Sequence, residues 1–338
     1  MHITIVMVLT YIACCVRIGA APWRYFQLNA HYFSDDSGIF SKLSMDRLIP
    51  DRWRLSQSVD VETLTPVRFP VFLKPEWGQN AHGIHRVDDA SELVRMRARL
   101  AREPQRYLLQ EAAPGVREFE IFGIDADRHD RRHDVLTVTE AVNTNERFPI
   151  NSKYNRHTRY VDITDHFDEA ERRRLSGYLE EIGRFGISRV SVRADSREAL
   201  VAGRFHVIEI NLFLPMPINL LDARYTWRDR WRFIRGAMMA LARSTKLIEP
   251  VARERAIFTR MMLYGRRCPR GLLSLLEGGW RRAARGARRG GRGAWPARRR
   301  RRRRRRCVVV ERVSMPRQRW LLARPRGAVG RRVTASGS

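Results

Sequence analysis

A run of nine consecutive arginines, Arg298–Arg306, limits where this chain can fold. The segment from residue 281 to residue 338 contains 22 arginines and one acid, Glu311, so it carries +21 of the total formal charge of +29. Like charges repel each other, and the segment offers too little apolar surface for a core. We therefore predict a disordered, Arg-rich tail at 281–338 and a folded, moderately basic part within residues 1–280.

Two interpretations of this tail stay open. Arginines attract RNA, DNA or acidic lipid through the release of counterions, which gives weak contacts without sequence preference. The tail contains no structured element that would read bases, so an extension without a role is the favoured interpretation.

The N-terminal segment from Ile3 to Val16 is nearly all apolar but shorter than the ~20 residues of a membrane span. A buried strand or helix and a membrane-surface segment that includes Trp23 are equally consistent with it. The cysteines form no CxxC pair and no zinc-ligand spacing, which favours a reducing cytoplasmic setting. We predict a cytoplasmic protein, with membrane contact through this segment as the open alternative.

Strand and helix patterns alternate through the middle of the chain and predict an α+β fold. The predicted strands are 69–74, 107–111, 118–124, 135–142, 190–193 and 206–212, and the predicted helices lie around 41–48, 88–100, 168–185 and 228–246. The predicted domains are a leader (1–58), a small lobe (59–115), a large lobe (116–250), a helical extension (251–280) and the tail (281–338).

The strand His206–Asn211 carries oxygen ligands on a rigid element. Side chains alternate along a strand, so Glu209 and Asn211 share one face, while Ile208 and Ile210 are expected to point into the core. A carboxylate beside an amide oxygen suits a hard cation such as Mg²⁺.

The preceding strand ends at Arg193 and Asp195. If the two strands pair, we expect Asp195 to fall near Glu209 as a third metal ligand, and Arg193 to point at an anion held by the metal. Taken alone, the cluster is no more than acids and an amide near strand ends, which turns also supply.

A third feature lies upstream, where Lys74 ends an apolar strand and a loop from Gly78 to Gly83 follows. Such a loop can present backbone N–H groups and an ammonium to phosphates. Gln110 and Glu111 then lie at a predicted hinge between the lobes, followed by Glu118 on the next strand.

The order and spacing of these motifs, from about Lys42 to Asn219, resemble the ATP-grasp superfamily, and most closely its D-alanine–D-alanine ligase branch. Lys42, ahead of a short helix, the pair Lys153–Tyr154 and Pro215 match further positions of that branch. The resemblance implies an ATP-grasp fold, with two α+β lobes that grip ATP between them. It also implies an ADP-forming ligase that joins a small carboxylate to an amine through an acylphosphate.

The resemblance also implies a role for each matched residue. Phosphate contacts would come from Lys42, Lys74, Lys153 and the Gly78–Gly83 loop, and nucleotide base and ribose contacts from Gln110, Glu111 and Glu118. Arg193 would stabilise the charge of the moving phosphoryl group, and Asp195, Glu209 and Asn211 would hold one or two Mg²⁺, with Mn²⁺ as a substitute.

Three departures from the branch matter. Gln79, Asn80 and His82 replace its small loop residues, the order Leu214–Pro217 differs from its substrate loop, and fewer than 60 residues precede the small lobe. An acid and an acceptor other than D-alanine are therefore expected. Two other hypotheses stay open, namely a nucleotide-binding module without turnover that is tethered to a membrane or an acidic partner, and nucleic-acid binding through the tail.

Overall fold

A computed structural model describes residues 3–34, 38–78, 81–125, 133–152, 154–248 and 257. All of them belong to one compact unit, residues 1–289. The predicted phosphate ligand Lys153, the predicted tail and, apart from Ile257, the predicted helical extension lie outside the described residues.

The described residues form two antiparallel sheets with helices around them, which confirms the predicted α+β architecture with two sheet-based lobes. The strands are β1 (Gln57–Val59), β2 (Val71–Pro75), β3 (His85–Val87), β4 (Tyr107–Glu111), β5 (Arg117–Ile124), β6 (Val135–Val142), β7 (Arg159–Asp162), β8 (Ile187–Ala194) and β9 (Phe205–Asn211). The α-helices are α1 (Ile3–Ile18), α2 (Lys42–Asp46), α3 (Ala90–Leu100), α4 (Glu169–Ile182), α5 (Arg197–Val201) and α6 (Trp227–Lys246).

The smaller sheet has the strand order β1-β4-β2-β3, and the larger sheet has the order β7-β6-β5-β8-β9. The flanking helices begin at residues whose side chains accept hydrogen bonds from the first turn. Asp168 and Thr226 form capping boxes at the starts of α4 and α6, and Asp89 caps α3. Such caps satisfy amide groups that have no partner within the helix, so they fix where each helix starts.

The large sheet buries one face against α4 and against the segment that precedes β1. Met45, Ile49 and Trp53 from that segment lie in the main core, so the predicted leader is part of the folded unit. The predicted domain boundary at residue 58 falls inside β1.

The other face of the large sheet is covered at one end by α1 and α6, which pack together. The apolar N-terminal segment is therefore a helix, with Cys14 and Cys15 as buried free thiols. No helix in the described part of the chain combines the length and the apolar character that crossing a bilayer requires.

Candidate functional site

A cleft of about 120 Å³ lies between the two sheets. Strands β2 and β4 of the small sheet form one wall, and β5, β8 and β9 of the large sheet form the other. Six of the residues selected from the sequence line it, namely Lys74, Gln110, Glu111, Glu118, Arg193 and Glu209.

Lys42, Lys74 and Glu209 meet at the inner end of this cleft. The Lys42 Nζ lies 3.2 Å from Glu209 Oε1 and donates to the Gly78 carbonyl oxygen at 3.3 Å. The Lys74 Nζ donates to the Ile208 carbonyl oxygen at 3.3 Å. Residues that are more than 100 positions apart are thus brought together, and two ammonium groups face one carboxylate.

Burial sets the protonation of this group. Removal from water lowers the pKa of Lys74 to about 7, and the Lys42 charge adds to this, while Glu209 and Asp46 oppose it. Burial alone would raise the pKa of Glu209, but the charges of Lys42, Lys74 and Arg189 hold it below its usual range. Glu209 is therefore ionised at neutral pH, and Lys74 lies near the point where it gains or loses its proton.

The hinge residues are held by bonds of their own. Gln110 is buried and donates through Nε2 to the Ile208 carbonyl oxygen at 3.3 Å. Glu111 is exposed and accepts from the Ser56 backbone amide at 2.7 Å. The expectation that Ile208 points into the core is wrong, because a bulge in the β8–β9 pairing leaves this residue in the cleft.

The glycine loop contacts the same site from the small sheet. Gly78 supplies a carbonyl to Lys42, and Gly83 has φ of +77°, a conformation that glycine adopts without steric cost. Gln79 and Asn80 lie outside the described residues. The loop thus reaches Lys42, and its contact with phosphates stays a prediction.

Asp195 is not beside Glu209, contrary to the sequence-based expectation. In the β8–β9 pairing Ser191 lies opposite Glu209, Arg189 lies opposite Asn211, and the strands separate after Ala194. Asp195 is exposed, and it lies four residues, or about 13 Å along a strand, from the position that faces Glu209. The physical reason is that the connection from 195 to 204 holds a short helix, α5, and not a tight polar turn.

Arg193 lines the cleft but is occupied by backbone groups. Its Nε donates to the Gly115 carbonyl oxygen at 2.9 Å, and one terminal nitrogen donates to the Arg147 carbonyl oxygen at 2.8 Å. Its guanidinium also lies 5.0 Å from the centre of the Phe148 ring. Arg193 therefore fixes two loops around the cleft, in addition to any charge it contributes there.

The structure adds three residues that the sequence reasoning missed. Glu120 on β5 and Arg189 on β8 form an ion pair at 3.0 Å, and the Ser191 hydroxyl donates to Glu120 at 2.9 Å. Arg189, Ser191 and Arg193 occupy alternate positions of β8, which is visible in the sequence. The strand register was needed to show that Arg189 and Ser191 lie opposite the predicted metal ligands. Arg189 and Ser191 therefore face Asn211 and Glu209, in the places that the sequence analysis gave to Arg193 and Asp195. A serine lies where an aspartate was expected.

Glu118 lies on the same face of β5, opposite Arg193. Burial, with the charges of Glu120 and Glu209, raises the pKa of its carboxyl to about 8 against the opposing effects of Asn151 and Arg193. At neutral pH Glu118 is thus mostly protonated and can donate a hydrogen bond.

The remaining candidate metal ligands, Glu209 and Asn211, fit one hard cation better than two cations. Glu209 and Asn211 lie on one strand face, and the buried Asn211 Nδ2 has no hydrogen-bond partner among the described residues. Its amide is therefore available to orient an oxygen towards an ion. Within the described ranges no group of three His, Cys, Asp or Glu residues could hold a metal, in agreement with the loss of Asp195 from the predicted set.

A wider groove of about 910 Å³ runs along β6 between α4 and α6. Its rim carries Arg172, Arg232 and Asp229, but none of the residues selected from the sequence lines it. The chemistry predicted from the sequence is therefore concentrated in the smaller cleft between the sheets.

The structure is similar to solved structures of ligases. It matches D-alanine–D-alanine ligase from Bacillus anthracis complexed with ATP, at 14% identity and a TM-score of 0.39, over 66% of this chain and 68% of the ligase. A second structure of that ligase has a TM-score of 0.41 at 14% identity, over 66% of this chain and 69% of the ligase. The L-amino acid ligase from Bacillus licheniformis has a TM-score of 0.36 at 15% identity, over 60% of this chain and 47% of its own.

No protein-family model matches the chain, and no curated protein does.

Proposed function

We propose that this chain is an ATP-dependent, ADP-forming carboxylate–amine ligase of the ATP-grasp type, with Mg-ATP bound in the cleft between the two sheets. The observation that carries the proposal is the convergence of Lys42 and Lys74 on Glu209 across that cleft. Phosphoryl transfer depends mainly on positioning and on countering negative charge, which is what cations around a carboxylate-held metal provide.

The contacts that now join the sheets are the ones that nucleotide binding would replace. The cleft is smaller than typical ligand pockets, which enclose about 300–1,000 Å³. Lys74 and Gln110 bridge the sheets through the Ile208 carbonyl oxygen, and Lys42 on α2 pairs with Glu209. We expect the sheets to separate on binding, with phosphate oxygens replacing Glu209 and Ile208 as partners of the two lysines.

Glu209 and Asn211 would hold Mg²⁺, with Mn²⁺ as a substitute, and the metal would neutralise phosphate charge. Arg189 lies on the same face and would stabilise the moving phosphoryl group, a role that the sequence had given to Arg193. Glu118, protonated near neutral pH, would donate to the ribose, and Gln110 and Glu111 would border the base. In the proposed reaction a substrate carboxylate attacks the γ-phosphate, ADP leaves, and an amine then displaces phosphate from the acylphosphate.

The test is a measurement of Mg-ATP binding by calorimetry, followed by a screen for ADP release with panels of acids and amines. Wild type is expected to bind Mg-ATP and to release ADP only when both co-substrates are present. Glu209→Ala and Lys74→Ala should abolish release, and Glu62→Ala, at an exposed carboxylate, should leave it unchanged. Absence of binding by wild type, or binding that is indifferent to both site variants, would refute the nucleotide site.

A second candidate is a nucleotide-binding module without turnover, and Ser191 favours it. A hydroxyl stands where a third metal-binding carboxylate was expected, and its partner Glu120 is already paired with Arg189. Binding of Mg-ATP without ADP release under any co-substrate pair would support this candidate. Ser191→Asp should then increase the Mg²⁺ dependence of binding, because it adds a carboxylate opposite Glu209.

The cytoplasmic setting and weak nucleic-acid contact through the tail remain predictions. Retention of Mg-ATP binding after removal of residues 281–338 would separate the tail from the nucleotide site.

A further inference from the structure

Helix α1 has an apolar surface on the side that no other part of the described structure covers. Its sequence, ITIVMVLTYIACCVRI, contains one charged residue, Arg17, and no acid. A helix that is apolar all round is normally buried on every side. Here Val6, Tyr11 and Cys15 are buried, but the opposite side is open.

Five large aliphatic residues form this open stripe, at the spacing of one helix face, and they are between 41% and 73% exposed. They are Ile5, Val8, Leu9, Ile12 and Val16. Contiguous apolar patches of this kind mark interaction sites, whereas scattered exposed apolar residues need no explanation.

The neighbouring surface of α6 is strongly basic. It exposes Arg228, Arg232, Arg235, Arg243 and Lys246. The one acid of α6, Asp229, is occupied by the Thr226 cap. None of the four arginines forms an ion pair with a carboxylate in the described part of the chain.

Helix α1 packs against α6, and two cations of α6 act on it. Lys246 donates to the Ile18 carbonyl oxygen at 2.8 Å, and the charge of Arg235 acts on Cys14. The C-terminal half of α1 therefore has cations of α6 beside it.

Exposed tryptophans lie at the borders of the same surface. Trp227 and Trp231 are exposed on the first turns of α6, and Trp23 is exposed just after α1. Tryptophan prefers the boundary between lipid tails and water, because its ring is apolar and its N–H is polar.

We propose that the outer faces of α1 and α6, with Trp23, form a surface that docks on an anionic phospholipid bilayer. An aliphatic stripe, neighbouring cations that form no ion pair among the described residues, and exposed tryptophans match the chemistry of interfacial helices. Because the inner side of α1 is packed on α6, only its outer side enters the lipid, so α1 lies along the membrane surface.

The test is flotation of the full chain with vesicles of phosphatidylcholine, alone or with about one third phosphatidylglycerol. The stripe variant is Leu9→Ser, Ile12→Ser and Val16→Ser combined. The control variant combines Val67→Ser, Val94→Ser and Val116→Ser, at three exposed valines elsewhere. Both variants carry the same Arg-rich tail, so binding through the tail is equal in the two.

At high salt, which screens the arginines, we expect the stripe variant to bind anionic vesicles about tenfold less than wild type, and the control to match wild type. Equal binding of stripe variant and control would overturn the proposal. It would also be overturned if light scattering without lipid showed a wild-type dimer that the stripe variant dissociates, because a second copy would then cover the stripe.

A second measurement does not depend on the folding of the stripe variant. Brominated phosphatidylcholine quenches tryptophans that enter the lipid, and we expect Trp23→Phe, Trp227→Phe and Trp231→Phe combined to remove most of this quenching. Quenching that is unchanged by these three substitutions would also overturn the proposal.

Discussion

The two ends of one face of the large sheet differ sharply, although the same strands build both. On β5, Glu118 and Glu120 line the cleft, while Phe122 and Ile124, the next residues on that face, are buried under α1 and α6. The residues of this strand face are ionisable where they line the cleft and apolar where the helices cover them. The alternation of side chains along the strand does not distinguish these two ends.

Strand β8 shows the same change one strand away. Arg189, Ser191 and Arg193 face the cleft, and Ile187 packs under the helices. The cleft cations Lys74, Arg189 and Arg193 each have an acid or a backbone carbonyl oxygen as a partner, as partly buried charges require. Packing at the apolar end holds the strands of the sheet in place, so the charged residues at the other end keep a defined geometry.

The largest effect is expected at the apolar end. Phe122→Ala removes a fully buried ring beneath α6 and should lower the free energy of unfolding by about 3–5 kcal/mol. Urea unfolding followed by circular dichroism measures this. Val67→Ala, at a highly exposed site, should change it by less than about 0.5 kcal/mol. A loss below about 1 kcal/mol for Phe122→Ala would mean that the apolar end does not hold the sheet.

The next effect is expected at the charged end. Lys74→Met keeps an unbranched chain but removes the ammonium, so the proposed nucleotide affinity should fall about 10–100-fold, the value of one charged hydrogen bond. Because the pKa of Lys74 is about 7, wild-type affinity should decrease as the pH rises through 7, and the variant should lack this decrease. Calorimetric titration at several pH values tests both points. Lys246→Met, on the surface of α6, is the matched control, and equal affinity losses in the two variants would contradict the role of Lys74.

A third effect, on the pH dependence of stability, concerns Glu118, whose pKa is raised from 4.5 to about 8 in the folded chain. Between these values the folded form keeps a proton that the unfolded form has lost, so this carboxyl makes stability fall as the pH rises from 4.5 to 8. Glu118→Gln should remove that decline, with wild-type stability below pH 4.5 and higher stability than wild type above pH 8. Urea unfolding across this range is the measurement, with Glu62→Gln as the exposed control. A parallel decline in wild type and Glu118→Gln would show that the carboxyl is not buried enough to matter.

The smallest effect is expected at Asp195. Because this carboxylate is exposed beyond the end of β8, Asp195→Asn should change Mg-ATP affinity by less than about twofold, within the scatter of surface substitutions. Direct titration decides the matter. A tenfold or greater loss would restore Asp195 to the metal site and would require a different pairing of β8 with β9.

Local patterns predicted the elements well. The strand Tyr107–Glu111 was predicted to the residue, and α3, α4 and α6 begin within one or two residues of the predicted starts. Periodicity and capping residues are local signals, so they need no knowledge of the remaining chain. The convergence of Lys74 and Glu209 was also predicted, although only through resemblance to a known order of motifs.

Strand register was the point at which sequence reasoning failed. Ser191 on β8 and Asp195 just beyond its end are four positions apart and both polar, so alternation in the sequence cannot choose between them. Which of the two residues lies opposite Glu209 depends on where the pairing of β8 with β9 ends. Helix α5 and its flanking turns occupy the ten residues from 195 to 204, so the pairing ends before Asp195.

By itself, the sequence determined the α+β class and the positions of most strands and helices. Those properties follow from periodicity and capping, which act over a few residues. Only the tertiary structure decided that Ser191 and Arg189 face Glu209 and Asn211, that Lys74 is buried enough for its pKa to reach about 7, and that no other described residues cover one apolar side of α1. These depend on register and burial, which are set by residues far apart in the chain.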